Sequence, residues 1–169
     1  MLSDVALRPL AVDDAEAMAK VLGDPALYEF TGGEPPTVAQ LERQYAIQTR
    51  GESADGSEEW LNLIVELGPD RDPIGYVQAT IPRDGGPAEI AWVIGRPWQG
   101  RGYAGRAAES LVEYLEQRGV RAFVADIHPD HAASQAIARR LGLRLTGTVI
   151  DGEQRWQRGA ETNTPPSVG

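Results

Sequence analysis

Three glycines within six residues, Gly100, Gly102 and Gly105, stand between a strand-like run and a helix-like run. Glycine permits positive φ and a close approach of backbone to ligand, and a helix that starts there begins with unpaired amides. Before the glycines, Glu89 to Ile94 alternates, with Ile90, Trp92 and Ile94 set against Glu89, Ala91 and Val93, which is the period of a strand. After them, Ala104, Ala108, Leu111, Val112 and Leu115 recur at helical spacing up to a stop at Gly119. Ala122 to Ile127 is a short apolar run of the kind found in a buried strand. The amides of the turn and of the first helical turn carry positive partial charge and point one way, which suits a phosphate or pyrophosphate. Arg96, Arg101 and Arg106 add local positive charge. Taken alone, the turn is equally well explained by tight geometry without a ligand.

Two known patterns compete for these residues. Gly100-x-Gly102-x-x-Gly105 matches the dinucleotide fingerprint, and Asp126 lies at the end of the next strand, where a ribose-binding acid would sit. Against it, Arg96-Pro97-Trp98-Gln99 separates the strand from the first glycine, and too little chain follows for a doubly wound sheet. The second pattern, Gln/Arg-x-x-Gly-x-Gly/Ala, is satisfied by Gln99, Gly102 and Ala104. It resembles the coenzyme A pyrophosphate loop of the GCN5-related N-acetyltransferase (GNAT) family. A second motif favours the latter. His128-Pro129-Asp130-His131-Ala132-Ala133-Ser134, running on to Arg140-Leu141-Gly142-Leu143, is similar to that family's Asn-x-x-Ser and Lys/Arg-Leu-Gly-Phe block. The opening Leu7-Arg8-Pro9-Leu10 and Asp13-Asp14-Ala15-Glu16-Ala17-Met18 resemble its RimJ/RimL-type branch. The resemblance runs from about Leu7 to Arg158.

The length of 169 residues suits one domain with a sizeable core. Residues 1–158 read as that domain, and 159–169, polar and proline-bearing, as a disordered tail. Sixteen Lys and Arg against 25 Asp and Glu give a net charge of −9, which argues against nucleic acid or an anionic membrane as the main partner. It suits an amine-bearing one. With no cysteine there is no disulfide, thiolate metal site or cysteine nucleophile. His128 and His131 are the only histidines and lack evident carboxylate co-ligands, so no metal is expected. Without a signal peptide or a membrane-length apolar run, the reading is a cytoplasmic protein, monomer or homodimer.

Val5 to Leu10 reads as a first strand. Asp13-Asp14 signals a helix with Ala15, Met18, Ala19 and Leu22 as its stripe, and Thr37 caps a second helix carrying Val38, Leu41 and Tyr45. Gly51 to Glu59 reads as a polar loop. Trp60 to Leu67 and Ile74 to Ile81 alternate and are joined by short turns to the strand at Glu89, an antiparallel meander. The strand at Ala122 follows a helical crossover and is therefore parallel to its neighbour. Asp151-Gly152 marks a hairpin between 144–150 and 153–158. The fold class is α/β (α+β), and the resemblance implies a mostly antiparallel GNAT-like sheet of about seven strands flanked by about four helices. Its parallel pair would lie at the cofactor site.

The resemblance implies direct acetyl transfer from acetyl-coenzyme A to a primary amine, on a small molecule or a protein N-terminus, in a ternary complex. On that basis Gln99, Gly100, Arg101, Gly102, Tyr103, Ala104 and Gly105 hold the pyrophosphate. The backbone of Trp92, Val93 and Ile94 pairs with the pantetheine arm, and the Ile94 amide faces the oxyanion. Ordinary strand packing explains the three side chains equally well. Glu89 is the candidate base, with an exposed strand residue as the competing reading; Asp126 is a weaker candidate for substrate binding. Ser134 stands at the family's serine position near the sulfur, or else caps a helix. His131 replaces the usual asparagine and titrates near neutrality, so it joins Glu89 and Ser134 as a candidate catalytic group and could also contact pantetheine. Ala138 stands where many members carry a tyrosine acid. Trp98 and Trp156 are candidate walls of an acceptor pocket, with packing as the competing role. Two other readings stay open: an acyl-coenzyme A-binding protein without turnover, and a dinucleotide-binding oxidoreductase.

Overall fold

The structure is a computed structural model that describes residues 5–159. Apart from Gly159, the tail anticipated over 159–169 lies outside the described residues. Among the described residues the strands are β1 (Val5–Pro9), β2 (Glu58–Leu67), β3 (Asp72–Pro82), β4 (Ala88–Ile94), β5 (Phe123–Ile127), β6 (Arg144–Ile150) and β7 (Glu153–Arg158). The helices are α1 (Ala15–Val21), α2 (Val38–Gln48), α3 (Tyr103–Gln117) and α4 (Ala132–Arg140). One 7-stranded sheet has the order β1-β2-β3-β4-β5-β7-β6. All neighbours are antiparallel except β4 and β5, whose connection carries α3 and so returns the chain to the same end.

Each face of the sheet supports its own core. On one face Val65, Val77, Ile90 and Ile94 meet Ala108, Leu111 and Leu115 of α3 and Ala138 of α4. On the other, Ile64 meets Met18, Leu41 and Tyr45 of α1 and α2. Full burial of a leucine such as Leu111 or Leu115 contributes about 1.5–3 kcal/mol. The alternation of β2 therefore has a physical limit: Ile64 and Val65 are both at 0% exposure, because helices cover both sides.

Local chemistry explains most element ends. Thr37 caps α2 in a reciprocal pair: its hydroxyl accepts from the Gln40 amide at 3.1 Å and Gln40 Oε1 accepts from the Thr37 amide at 2.8 Å. The Asp13-Asp14 signal does precede a helix, with Asp14 at the N-cap position of α1, but its side chain does not cap it and Val12–Asp14 themselves form a 3-10 turn. The Asp14 carboxylate accepts from Arg8 at 2.7 and 2.9 Å and from the Ala11 amide at 2.8 Å. The polar loop anticipated to Glu59 ends sooner, because Glu58 and Glu59 already belong to β2. Between β6 and β7, Asp151 and Gly152 both have positive φ, 50° and 81°, as the tightest hairpin turn requires.

Gly75 of β3 lies opposite Ile94 at the end of β4. A Cβ there would collide with the Val93 carbonyl and stand 2.9 Å from Ile94 Cα. The missing side chain lets the end of β4 press onto β3, on the side away from β5.

Candidate active site

The parallel pair is in register only at its start, Ala88 with Phe123 and Glu89 with Val124. Beyond that, β5 pairs with β7 through Ala125, Asp126 and Ile127, while β4 stays with β3 to Ile94. The two strands part and leave a gap at their carboxyl ends. Ala88 donates its N–H to Ala122 at 2.9 Å, so it points toward β5. Strand amides alternate in direction, so those of Trp92 and Ile94 also point into the gap. Gly95 donates to Ile74 on the opposite side at 2.8 Å, in keeping with that alternation.

The glycine turn follows at the same end. Arg96–Trp98 form a 3-10 turn, and the Gln99 carboxamide donates to the Ile94 carbonyl at 3.0 Å, tying the turn to the end of β4. Gly100 and Gly102 have φ of 77° and 83°. Gly102 is the residue from which α3 starts, and it offers no side chain to cap the helix. The amides of Tyr103, Ala104 and Gly105 are thus the orphan donors of a fifteen-residue helix, the arrangement that suits an anion. Tyr103 and Ala104 are half-buried against the α3-side core, Gly105 is buried, and Arg101 is exposed.

Across the gap, the start of α4 holds a small polar cluster. Ser134 Oγ lies 3.2 Å from Trp92 Nε1 and 3.3 Å from His131 Nε2. The Ser134 amide donates to His131 Nδ1 at 3.3 Å. The capping role read for Ser134 therefore belongs to His131, whose ring accepts at the helix start. Phe30 stacks on His131 with centroids 4.7 Å apart. Burial holds His131 below its ordinary pKa against a backbone hydrogen bond that raises it, with His128 acting in the same direction as burial and Glu29 against it. A neutral His131 is a poor acid at neutral pH.

Glu89 is exposed, and it lies opposite Thr80 of β3 and Val124 of β5. It is on the sheet face away from α3, as are Asp126, Arg155 and Glu153 by the pairing registers. Asp126 is occupied by Arg155 in two bonds of 2.9 Å. The Glu153 carboxyl is pushed up by burial first, then by Asp126 and Glu89 among its neighbours. Glu153 was not singled out from the sequence, where it reads as a residue after a turn. Its signal is positional: strand parity places it on the same sheet face as Glu89 once the β5–β7 pairing is known, four residues along β7 from Gln157, which is level with Glu89.

That same face carries two adjoining grooves under α2, of about 230 and 270 Å³. Gln44, Gln48, Asn62 and Gln78 line both, and Thr80, the partner of Glu89, closes one end. Tyr28 and Tyr45 border the first groove. Trp156 does not: it is buried in the α3-side core with Arg139 over its ring at 5.2 Å. Trp98 packs between the two cores. Ala138 is fully buried and leaves no hydroxyl at the tyrosine position. Among the described residues no group of three or more His, Asp or Glu could hold a metal ion. No described helix is long and apolar enough to cross a membrane.

Comparison with known proteins bears on the fold and the family. A protein of Bacillus licheniformis described as an uncharacterized N-acetyltransferase, p20, is 23% identical over 150 residues, covering 88% of this chain and 83% of its own. Two solved structures share the fold. The apo crystal form of RimL, a ribosomal L7/L12 alpha-N-protein acetyltransferase, has a TM-score of 0.76 at 18% identity, covering 92% of this chain and 90% of its own. The aminoglycoside acetyltransferase AAC(6')-Ib with coenzyme A has a TM-score of 0.74 at 22% identity, covering 92% and 95%. The pattern defining the acetyltransferase (GNAT) domain matches residues 4–144, and with that match over most of its length the chain belongs to the GNAT acetyltransferase family.

Proposed function

We propose that the protein transfers the acetyl group of acetyl-coenzyme A directly to a primary amine, with both substrates bound together. The observation that carries this reading is the gap between β4 and β5, into which the Trp92 and Ile94 amides point. The site fits the cosubstrate chemically. The amides at Gly100–Gly105 and the exposed Arg101 suit its pyrophosphate, and the Trp92 and Ile94 N–H groups, which face the gap, suit the carbonyls of a pantetheine arm. Gln99 acts by fixing the turn through the Ile94 carbonyl.

When bound, the cosubstrate supplies an activated carbonyl and a thiolate leaving group. The Ile94 amide donates to the oxygen on which charge develops. A primary alkylamine has a pKa of about 10.4 in water and a peptide α-amine about 7.7–8.0, so either arrives mostly protonated at neutral pH, and Glu89 collects that proton directly or through water. Ser134 and His131 lie beside the sulfur, with Ser134 as the donor to it. The acceptor enters from the grooved face under α2, where Glu89 also lies. The four carboxamides there and the single acid of the first groove, Glu34, favour an acceptor with one ammonium and neutral amides, as in a peptide N-terminus, over a polycation.

The test is calorimetric titration with acetyl-coenzyme A and, separately, with a nicotinamide dinucleotide, on wild type and Gly102→Glu. Expected are binding of the first ligand, its loss in the variant, and no heat from the second. An amine and peptide panel followed by thiol release then asks for turnover. Folded wild type that ignores acetyl-coenzyme A overturns the proposal. Tight binding with no thiol release on the whole panel moves the non-catalytic binding reading ahead.

A further inference from the structure

We infer that Trp92 is a positioning residue, whose indole N–H and a fixed tautomer of His131 together turn the Ser134 hydroxyl into an outward hydrogen-bond donor. The inference rests on the acetyltransfer reading for its purpose, though its geometry stands without it.

The argument is an accounting of donors around one oxygen. His131 Nδ1 accepts the Ser134 backbone N–H at 3.3 Å, so this nitrogen carries no proton. A neutral imidazole has one N–H, which must then be on Nε2. Nε2 lies 3.3 Å from Ser134 Oγ, and in this tautomer it donates to that oxygen. The indole Nε1 of Trp92 is donor only, and it donates to the same oxygen at 3.2 Å. A hydroxyl oxygen has two lone pairs, and both are now taken. The Ser134 O–H cannot point at either partner, so its hydrogen is left for a group outside this cluster.

Trp92 is on the stretch of β4 that has parted from β5, and Ser134 is at the start of α4. The freed hydroxyl hydrogen therefore belongs to the gap where the sulfur would lie. The cluster also fixes what Ser134 does. As the carbon–sulfur bond breaks, the sulfur leaves with the electron pair, and Ser134 stabilises it by donating a hydrogen bond. Ser134 keeps its proton: replacing it from His131 would require an imidazolate. The proton that finally neutralises the thiolate comes from solvent, and the amine's proton goes to the carboxylate on the other face. Phe30, stacked on His131, holds the imidazole in the plane this arrangement needs.

Two experiments test the inference, and the first needs no turnover. In wild-type protein labelled with ¹⁵N at histidine and tryptophan, NMR at neutral pH should show His131 with its proton on Nε2. The Trp92 indole signal should shift on Ser134→Ala. A proton on Nδ1, or an indole signal indifferent to Ser134→Ala, overturns the inference whatever the enzyme does. The second is a double-mutant cycle with acetyl-coenzyme A and an active amine. Trp92→Phe keeps an aromatic ring but removes the N–H donor together with part of the indole; it should lower kcat by about 3- to 10-fold, the scale of one hydrogen bond, and the double-mutant cycle separates the lost donor from the lost ring volume. KM for acetyl-coenzyme A should change less. In the Ser134→Ala background, Trp92→Phe should cost nothing further. Independent, multiplying losses, a loss confined to KM, or unchanged kcat would overturn the positioning role. Wild type without thiol release on any amine is a failure of the acetyltransfer reading, and the NMR result then decides the hydrogen-bond arrangement alone.

Discussion

Phe30 covers one face of His131, with ring centroids 4.7 Å apart and planes 29° apart, and it also leans on His128 at 5.3 Å. Burial is the main reason that His131 titrates below the ordinary value of about 6.5; His128 adds to the effect, while a backbone hydrogen bond and Glu29 oppose it. The unfolded chain therefore takes up a proton on this residue before the folded one does. Stability from the neutral ring is complete above about pH 6.5 and is lost as pH falls through the lower folded value. Phe30→Ala should raise the His131 pKa toward the ordinary value and flatten the loss of stability between about pH 7 and pH 5. An NMR titration of the two histidines, with urea unfolding at each pH, measures both. An unmoved His131 in the variant would show that the stack does not control its titration.

Gly102 and Gly105 differ in how well they would tolerate a side chain, and substitution should separate them. A side chain at Gly102 meets nothing within 4 Å but must sit at φ +83°, which costs about 1–2 kcal/mol for an L-residue. At Gly105 the backbone is helical, and a Cβ would lie 3.0 Å from Arg140 Nη1, the end of an exposed side chain that can swing aside. Alanine there also gains up to about 1 kcal/mol of helix propensity. Urea unfolding should show Gly102→Ala clearly destabilised and Gly105→Ala near wild type. The reverse order would mean that the α3–α4 contact, not the turn, is the tighter constraint.

The strands, the crossover and the glycine turn were legible because each has a local cause: alternation, helical spacing, or a residue that alone tolerates positive φ. Thr37 capped its helix as read, since a cap needs only three residues. Asp14 precedes its helix as read, but the partners of its carboxylate could not be read, because one of them, Arg8, comes from another element. The same limit applies at the site. From their motif the sequence offered Ser134 and His131 as groups for the sulfur and the pantetheine, with a helix cap as the competing role of Ser134; the cap is in fact His131. The indole of Trp92, forty-two positions away, and the Phe30 stack depend on which strands part. Gly75 is silent in sequence for a similar reason: its role is the space it leaves for the Val93 carbonyl.

Glu89 and Glu153 share one sheet face and make different predictions as the proton acceptor. Glu89 is exposed; Glu153 is half-buried, with its carboxyl pushed up by burial, Asp126 and Glu89. A general base contributes about 10²–10⁴-fold, and an exposed one that competes with water belongs at the low end. Glu89→Gln should therefore lower kcat by about 10²-fold and leave acetyl-coenzyme A binding intact by calorimetry. Glu153→Gln should leave kcat within a few-fold of wild type. If the large loss instead follows Glu153→Gln, and the acidic limb of the pH–rate profile disappears with it, Glu153 is the base.

Arg8 ties β1 to two other elements, and its loss should be felt mainly through the carboxylates it leaves behind. Its guanidinium donates to Glu66 at 2.9 Å and to Asp14 at 2.7 and 2.9 Å. The Glu66 and Asp14 side chains are only 7% and 13% exposed, while Arg8 is 34% exposed. Glu66 Oε1 has no partner among the described residues even with Arg8 in place. For Asp14, burial pushes the pKa up, but the bonds from Arg8 and the Ala11 amide outweigh it and hold it below the ordinary value. Arg8→Met keeps much of the side-chain bulk and strands both acids; the expected loss is about 1–3 kcal/mol, tempered by the solvent around Arg8. A depressed carboxylate contributes its stability above the unfolded pKa of about 3.9 and loses it as pH falls. The gap between wild type and Arg8→Met should thus be full near neutral pH and shrink below about pH 4. Urea unfolding of both proteins at about pH 7 and pH 3 reads this directly. A gap of equal size at both would assign the effect to packing of the arginine stem rather than to its charge.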